Sequence, residues 1–174
     1  MTDIADCYIL ALTTSTAFFA KRLGAANWTA ATAPNQTIAL QMATAKIDAL
    51  EYSGYKLLST QARAFPRKYQ KTDSVNPWGN LLSEDSLGYI YDSDAVPQDV
   101  LDACCLEALA LINFYADSDN TDRQAMKDQG VKNYNLGGVY SETLDSSAFD
   151  RYNMYSPEAY RLLQKYFGRR ADIV

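Results

Sequence analysis

Histidine is absent from this chain of 174 residues. Its absence removes the commonest general base, the side chain that titrates near neutral pH and the most frequent metal ligand together. Cysteine is scarce: Cys7, Cys104 and Cys105 are the three present. A helix would splay the adjacent pair about 100° apart, so no disulfide framework is expected and a reducing compartment fits. Although 48% of the residues are hydrophobic, no run approaches the ~18 consecutive apolar residues of a bilayer span, so a soluble chain with no membrane partner is expected. Met1 to Asp6 carries two aspartates and no Lys or Arg, whereas a secretory signal opens on a basic region, so no export signal is expected. Basic charge is in deficit. Lys and Arg number 16 against 21 Asp and Glu, leaving a net charge of -5, which argues against tight, non-specific nucleic-acid binding driven by counterion release. No repeat or low-complexity tract is found, which excludes solenoids and propellers.

What is present suits one globular domain, since a folded chain of this size buries roughly 70% of its unfolded surface. Ser15 to Leu23 reads as a short helix bearing Phe18 and Phe19, capped by Thr14 or Ser15 and stopped by Gly24. Trp28 anchors the connection from Asn27 to Asn35 through its apolar face. A second helix opens at Pro34 and runs to Glu51, with Ile38, Met42, Ala45 and Ala49 as its apolar stripe, widened by Ile47 and Leu50. From Tyr52 to Ala95, punctuated by Gly54, Pro66 and Pro77, an extended loop with little regular structure is expected.

Val96, Pro97 and Gln98 start the strongest element, because proline is preorganised for a first helical turn and Asp99 complements the helix dipole. Val100, Leu101, Cys104, Leu106, Ala108, Leu109, Leu111 and Ile112 cover more than one face, which predicts the central, most buried helix, ending near Tyr115. The polar segment Asp117 to Asp128 reads as a solvated loop. Gly130 to Tyr134 and Val139 to Leu144 read as a hairpin turning through Asn135, Leu136, Gly137 and Gly138. Ser156 and Pro157 then cap and open a last helix to about Phe167, with Arg161, Lys165, Arg169 and Arg170 around its C-terminal end. The expected fold is mainly α: a small bundle of about four helices with one β-hairpin and long loops.

Candidate chemistry is thin. Asp117, Asp119, Asn120 and Asp122 suggest a calcium loop, but the sharp-turn glycine is missing and Asp128 stands where a bidentate glutamate belongs, so a turn-rich loop is preferred. Cys104 and Cys105 lack a histidine to raise their thiolate fraction and sit among leucines, which makes them core residues. Gly137 and Gly138 are turn residues, since no Lys with a following Ser or Thr comes after them. No catalytic, metal or cofactor site is expected. Arg63, Arg67, Lys68 and Lys71, interleaved with Phe65 and Tyr69, have the composition of a single-stranded nucleic-acid groove. A surface loop docking on a partner protein explains the same residues without opposing the acidic total charge. The tyrosines, 13 in all, suit protein interfaces and half-buried hairpin faces equally.

Several stretches, in their order, resemble one family. These are the aromatic pair Phe18 and Phe19, Trp28, the alanine-rich run from Ala43 to Tyr52, the Ala64, Phe65, Pro66 and Arg67 motif, and Val96, Pro97 and Gln98 opening a helix with Ala103, Cys104 and Glu107. Gly130, Val131 and Lys132 add the start of a hairpin. Over residues 8–167 the chain resembles the head-completion, or head-to-tail adaptor, proteins of tailed bacteriophages, which are also catalogued as DnaT-like single-stranded-DNA-binding proteins. It departs from that pattern at the hairpin turn and in the insert from Lys71 to Asp94.

The resemblance implies a non-enzymatic virion protein of the neck between head and tail, assembled in the host cytoplasm. It implies a single adaptor domain over 1–174, with a helical core near 13–116, a hairpin near 130–144 and a C-terminal helix and tail near 156–174. It further implies a homo-oligomeric ring, a dodecamer, that binds the portal protein, receives a tail terminator or stopper protein and lets genomic double-stranded DNA pass through its lumen. Phe65, Pro66 and Arg67, with Arg161, Lys165, Tyr166, Phe167, Arg169 and Arg170, are the expected partner contacts. Single-stranded-DNA binding is the alternative, and a hydrolase has the least support.

Overall fold

A computed structural model of the chain describes residues 6–70, 83–84, 89–91, 95–129, 133–136, 140–143 and 154–167. The chain is mainly helical with a two-stranded antiparallel hairpin, as its residue pattern predicts. In order, the helices are α1 (Leu12–Phe19), α2 (Ala26–Ala30), α3 (Ala33–Asp48), α4 (Gln98–Ala116), α5 (Ser118–Asp128) and α6 (Pro157–Leu163), the last continued by a 3-10 turn, Gln164–Tyr166. The strands are β1 (Tyr55–Lys56), β2 (Arg67–Gln70), β3 (Ser83–Glu84), β4 (Tyr89–Tyr91), β5 (Asn133–Leu136) and β6 (Tyr140–Thr143).

Helix α4 is the axis of the fold, with α3 packed along it on one side and α6 on another. Eight of its residues, among them Val100, Ala103, Cys104, Cys105, Ala108 and Leu111, are buried, which is why so continuous an apolar run is tolerated there. Pro97 is the cap rather than the first helical residue, and Asp99 lies in the first turn. The start of α6 follows the expected chemistry: the Ser156 hydroxyl accepts the Ala159 N–H at 3.1 Å, with Pro157 in the first turn.

Several expectations need correction. Helix α1 begins at Leu12 rather than Ser15 and ends at Phe19. Ser15 is buried, and its hydroxyl donates back to the Leu12 carbonyl at 2.9 Å, so it serves inside the helix instead of capping it. Helix α3 forms as expected but faces the core differently: Ala39, Leu40, Ala43, Thr44 and Ile47 are buried, while Ile38 is 52% exposed. Alanines surround this helix, so apolarity alone did not single out its inner face. The polar segment after α4 is helix α5, because the Asp117 carboxylate takes the Asp119 N–H at 3.0 Å and so acts as a starting cap. The segment after Tyr52 contains strands: β1, β2, β4 and β3 lie side by side in that order, antiparallel, with Lys68 opposite both Tyr55 and Tyr91.

The hairpin pairs Asn133 with Thr143 and Leu136 with Tyr140. Asn135 and Leu136 are therefore strand residues, while Gly137 and Gly138 lie outside the described residues. Trp28 is 2% exposed and lies 4.6 Å from the Phe19 ring, in the anchoring role expected of it. Its indole N–H is buried without a hydrogen-bond partner among the described residues.

Candidate functional site

The two groups of expected contact residues meet in space. Phe65 lies edge-on to Tyr166, centroids 5.0 Å apart, and to Tyr52 at 4.7 Å, while Phe167 stacks on Tyr52 at 5.4 Å. Both the N–H and the hydroxyl of Ser53 donate to the Tyr166 carbonyl at 2.9 Å, fastening the end of the last helix to the turn before β1. Phe65 and Tyr166 are core residues, 2% and 3% exposed. Rings so enclosed stabilise the junction by burial. Burial also pushes the Tyr52 hydroxyl far up from its ordinary range.

Arg67 is likewise turned inward. Its Nε donates to the Ser53 carbonyl at 2.8 Å, Nη1 to Ala64 at 3.1 Å, and Nη2 to Gly54 at 2.7 Å and Tyr52 at 3.2 Å. The guanidinium lies 5.6 Å from the Tyr52 ring centre. A planar fork of five donors suits this ring of carbonyls, which a lysine could not satisfy. The Pro66 carbonyl accepts the Leu57 N–H at 3.1 Å and the Gln61 amide at 2.9 Å, so the whole motif is bound into the body of the protein.

Arg63 is engaged as well, with Asp48 at 3.4 Å and Asp6 at 3.2 Å. Asp48 is the hub: it also accepts the Ala64 N–H at 2.8 Å and the Tyr8 hydroxyl. Burial, and the carboxylate it donates to, raise the Tyr8 pKa. The basic and aromatic residues that composition suggests for a nucleic-acid groove thus form an internal brace at Arg63, Phe65 and Arg67. The side chain of Tyr69, and Lys71, lie outside the described residues.

Of the remaining expected contacts, Arg161 is exposed, Lys165 is exposed and paired with Asp99, Pro66 and Phe167 are half-buried, and Arg169 and Arg170 lie outside the described residues. An uncharged cleft of about 440 Å³ runs between α2, α3 and the end of α4, lined by Ile38, Met42, Leu111, Ile112 and Tyr115. The sequence marks Ile38 and Met42 as apolar but does not reveal the cleft. Both line this cleft, and Met42 also packs against the core. Among the described residues no group of His, Cys, Asp or Glu is arranged to hold a metal, and no helix is long and apolar enough to cross a membrane.

In the sequence Glu107 stands out only as part of a motif. It is fully buried on α4 and accepts the N–H groups of Tyr155 at 2.9 Å and Ser156 at 2.8 Å. Burial raises its pKa against the opposing pull of those two hydrogen bonds and of nearby Lys46. An acid flanked by Leu106 and Ala108 in an apolar helix was the available signal.

Residues 5–169 match a protein family described as "Putative DnaT-like ssDNA binding protein". The chain belongs to this family. The DnaT-like match covers every described element, from α1 to the 3-10 turn after α6. No curated protein and no solved structure was found to match the chain.

Proposed function

We propose that the chain is a structural assembly subunit: a head-to-tail adaptor that docks as a homo-oligomeric ring beneath a phage portal, continues the DNA channel and receives a tail terminator or stopper protein. The observation that carries this reading is the inward-turned brace. With Arg63 and Arg67 bound to carboxylates and carbonyls and Phe65 enclosed, the segment richest in cations and rings offers little to phosphates or bases. The uncharged cleft and the exposed Tyr115 and Ile38 on its walls suit apolar side chains of a protein partner. A net charge of -5 suits a wall along which DNA slides without sticking.

The second reading is single-stranded-DNA binding. The family description speaks for it and names no portal, so the comparison alone ranks it ahead of the adaptor. Two measurements separate them. Labelled oligonucleotide, titrated at low and moderate salt, is expected to show no saturable binding; a salt-dependent affinity that weakens in Lys68→Ala establishes the second reading. Co-sedimentation with portal rings is expected to retain the wild-type chain and to lose Arg161→Glu. Failure of the wild-type chain to co-sediment overturns the adaptor.

A further inference from the structure

The N-terminal segment lays Cys7 against α3 and α4, in a polar pocket inside an otherwise apolar core. The Cys7 sulfur accepts the Ile9 N–H and the Thr44 hydroxyl, each at 3.3 Å. The same Thr44 oxygen lies 3.4 Å from the Cys104 sulfur, and it also accepts the Tyr8 N–H at 3.2 Å. Cys104 is fully enclosed, while Cys7 keeps 6% of its surface open. One threonine hydroxyl therefore touches two sulfurs, and the more accessible sulfur collects the donors.

We infer that Cys7 and Cys104 form a peroxide-responsive thiol pair, in which Cys7 is the attacking sulfur and Cys104 the resolving one, closing to an intramolecular disulfide. Hydrogen bonds to sulfur stabilise a thiolate, the reactive form. The Cys104 thiol first, then the Thr44 and Ile9 donors, lower the Cys7 pKa to about 6 even though burial opposes them, whereas Cys104 itself is pushed up. Arg63 adds a favourable charge. Cys105, also buried, is raised to about 12, chiefly by burial, which disfavours it as the attacking group.

The step balances with hydrogen peroxide as the oxidant. The Cys7 thiolate attacks one peroxide oxygen, an S–O bond forms, the O–O bond breaks, and the departing hydroxide takes a proton to become water. Cys104 gives up its proton and attacks the Cys7 sulfur; the S–S bond forms, the S–O bond breaks, and the second hydroxide leaves as water. Two electrons pass from the two sulfurs to the peroxide. The product ties the N-terminal segment covalently to the central helix. A reducing cytoplasm keeps the pair open, and an oxidising exterior closes it. The pair stands whether the chain is an adaptor or a single-strand binder.

The reduced full chain is treated with hydrogen peroxide, quenched with N-ethylmaleimide under denaturing conditions and read by intact mass and peptide mapping. The expected result is a monomer with Cys7 joined to Cys104 and one maleimide adduct, on Cys105, against three on the untreated chain. Cys105→Ala should form the same bridge. Thr44→Val should move the pH midpoint of Cys7 alkylation upward. Sulfenic acid trapped at Cys7 without a crosslink, a bridge through Cys105, a disulfide-linked dimer, or peroxide reactivity no faster than that of glutathione would each overturn the assignment. An unmoved alkylation midpoint in folded Thr44→Val would do the same.

Discussion

The Glu107 carboxylate and the Ser156 N–H, 49 residues apart in sequence, meet at 2.8 Å inside the protein. The carboxylate is the last anchor before α6, and its second partner, the Tyr155 N–H, lies 2.9 Å away. Lys46 lies over the Tyr155 ring, 4.6 Å from its centre. Replacing Glu107 by Ala leaves two buried donors without an acceptor and opens a small void, a loss of about 2–4 kcal/mol in urea unfolding.

The same carboxyl gives a pH signature. Its pKa is raised in the folded chain, so the native state holds the proton more tightly than the unfolded state does. That contribution to stability is fully present below the ordinary glutamate range and is lost as pH rises through the raised value. Unfolding of wild type and Glu107→Gln at pH 5 and pH 7.5 should show the wild-type advantage shrinking at the higher pH. A difference independent of pH would mean that the carboxyl titrates normally.

Arg67 holds four backbone carbonyls. Arg67→Ala is expected to lower stability by about 2–4 kcal/mol, because several charge-assisted hydrogen bonds disappear together. Arg67→Lys should recover less than half of that loss, since one ammonium cannot span the carbonyls around it. Chemical denaturation monitored by tyrosine and tryptophan fluorescence reads both variants.

The two sides of α3 separate just as cleanly. Leu40→Ala, at a fully enclosed position, should cost about 2–5 kcal/mol. Ile38→Ala, at a position 52% exposed, should cost less than about 1 kcal/mol. Thermal unfolding of the pair checks which face is buried.

Ser156→Ala removes the acceptor for the Ala159 N–H and is expected to cost about 1 kcal/mol, with Ser156→Thr retaining most of it. Both variants are read by urea titration, and only the first should also loosen amide protection over α6.

The elements that local chemistry specifies were legible in the sequence. Pro97 and Asp99 announce α4, its unbroken apolar run announces its depth, and Ser156 with Pro157 announces α6. What pairing specifies was not. The strands from Tyr55 to Tyr91 are two to four residues long, too short for alternation to register, and β2 pairs with β4 past the intervening β3. The acidic run after Asp117 contains turn formers that equally serve as helix caps, and only the bond to the Asp119 N–H distinguishes the uses. Composition marked Phe65 and Arg67 as a contact region, but it cannot say which way a side chain points. Surrounding carbonyls and rings turn them inward.

The enclosed cluster runs from Cys7 to Tyr166, and Ser53 is bonded to the Tyr166 carbonyl. Every residue from Cys7 to Tyr166 must therefore leave the ribosome before this interior can close. Until then α4 emerges with its leucines and alanines bare, and the nascent chain is at its most prone to clumping. Expression at lower temperature, or with holding chaperones present, should raise the yield of well-folded protein more than it does for a protein whose early segments fold as they appear.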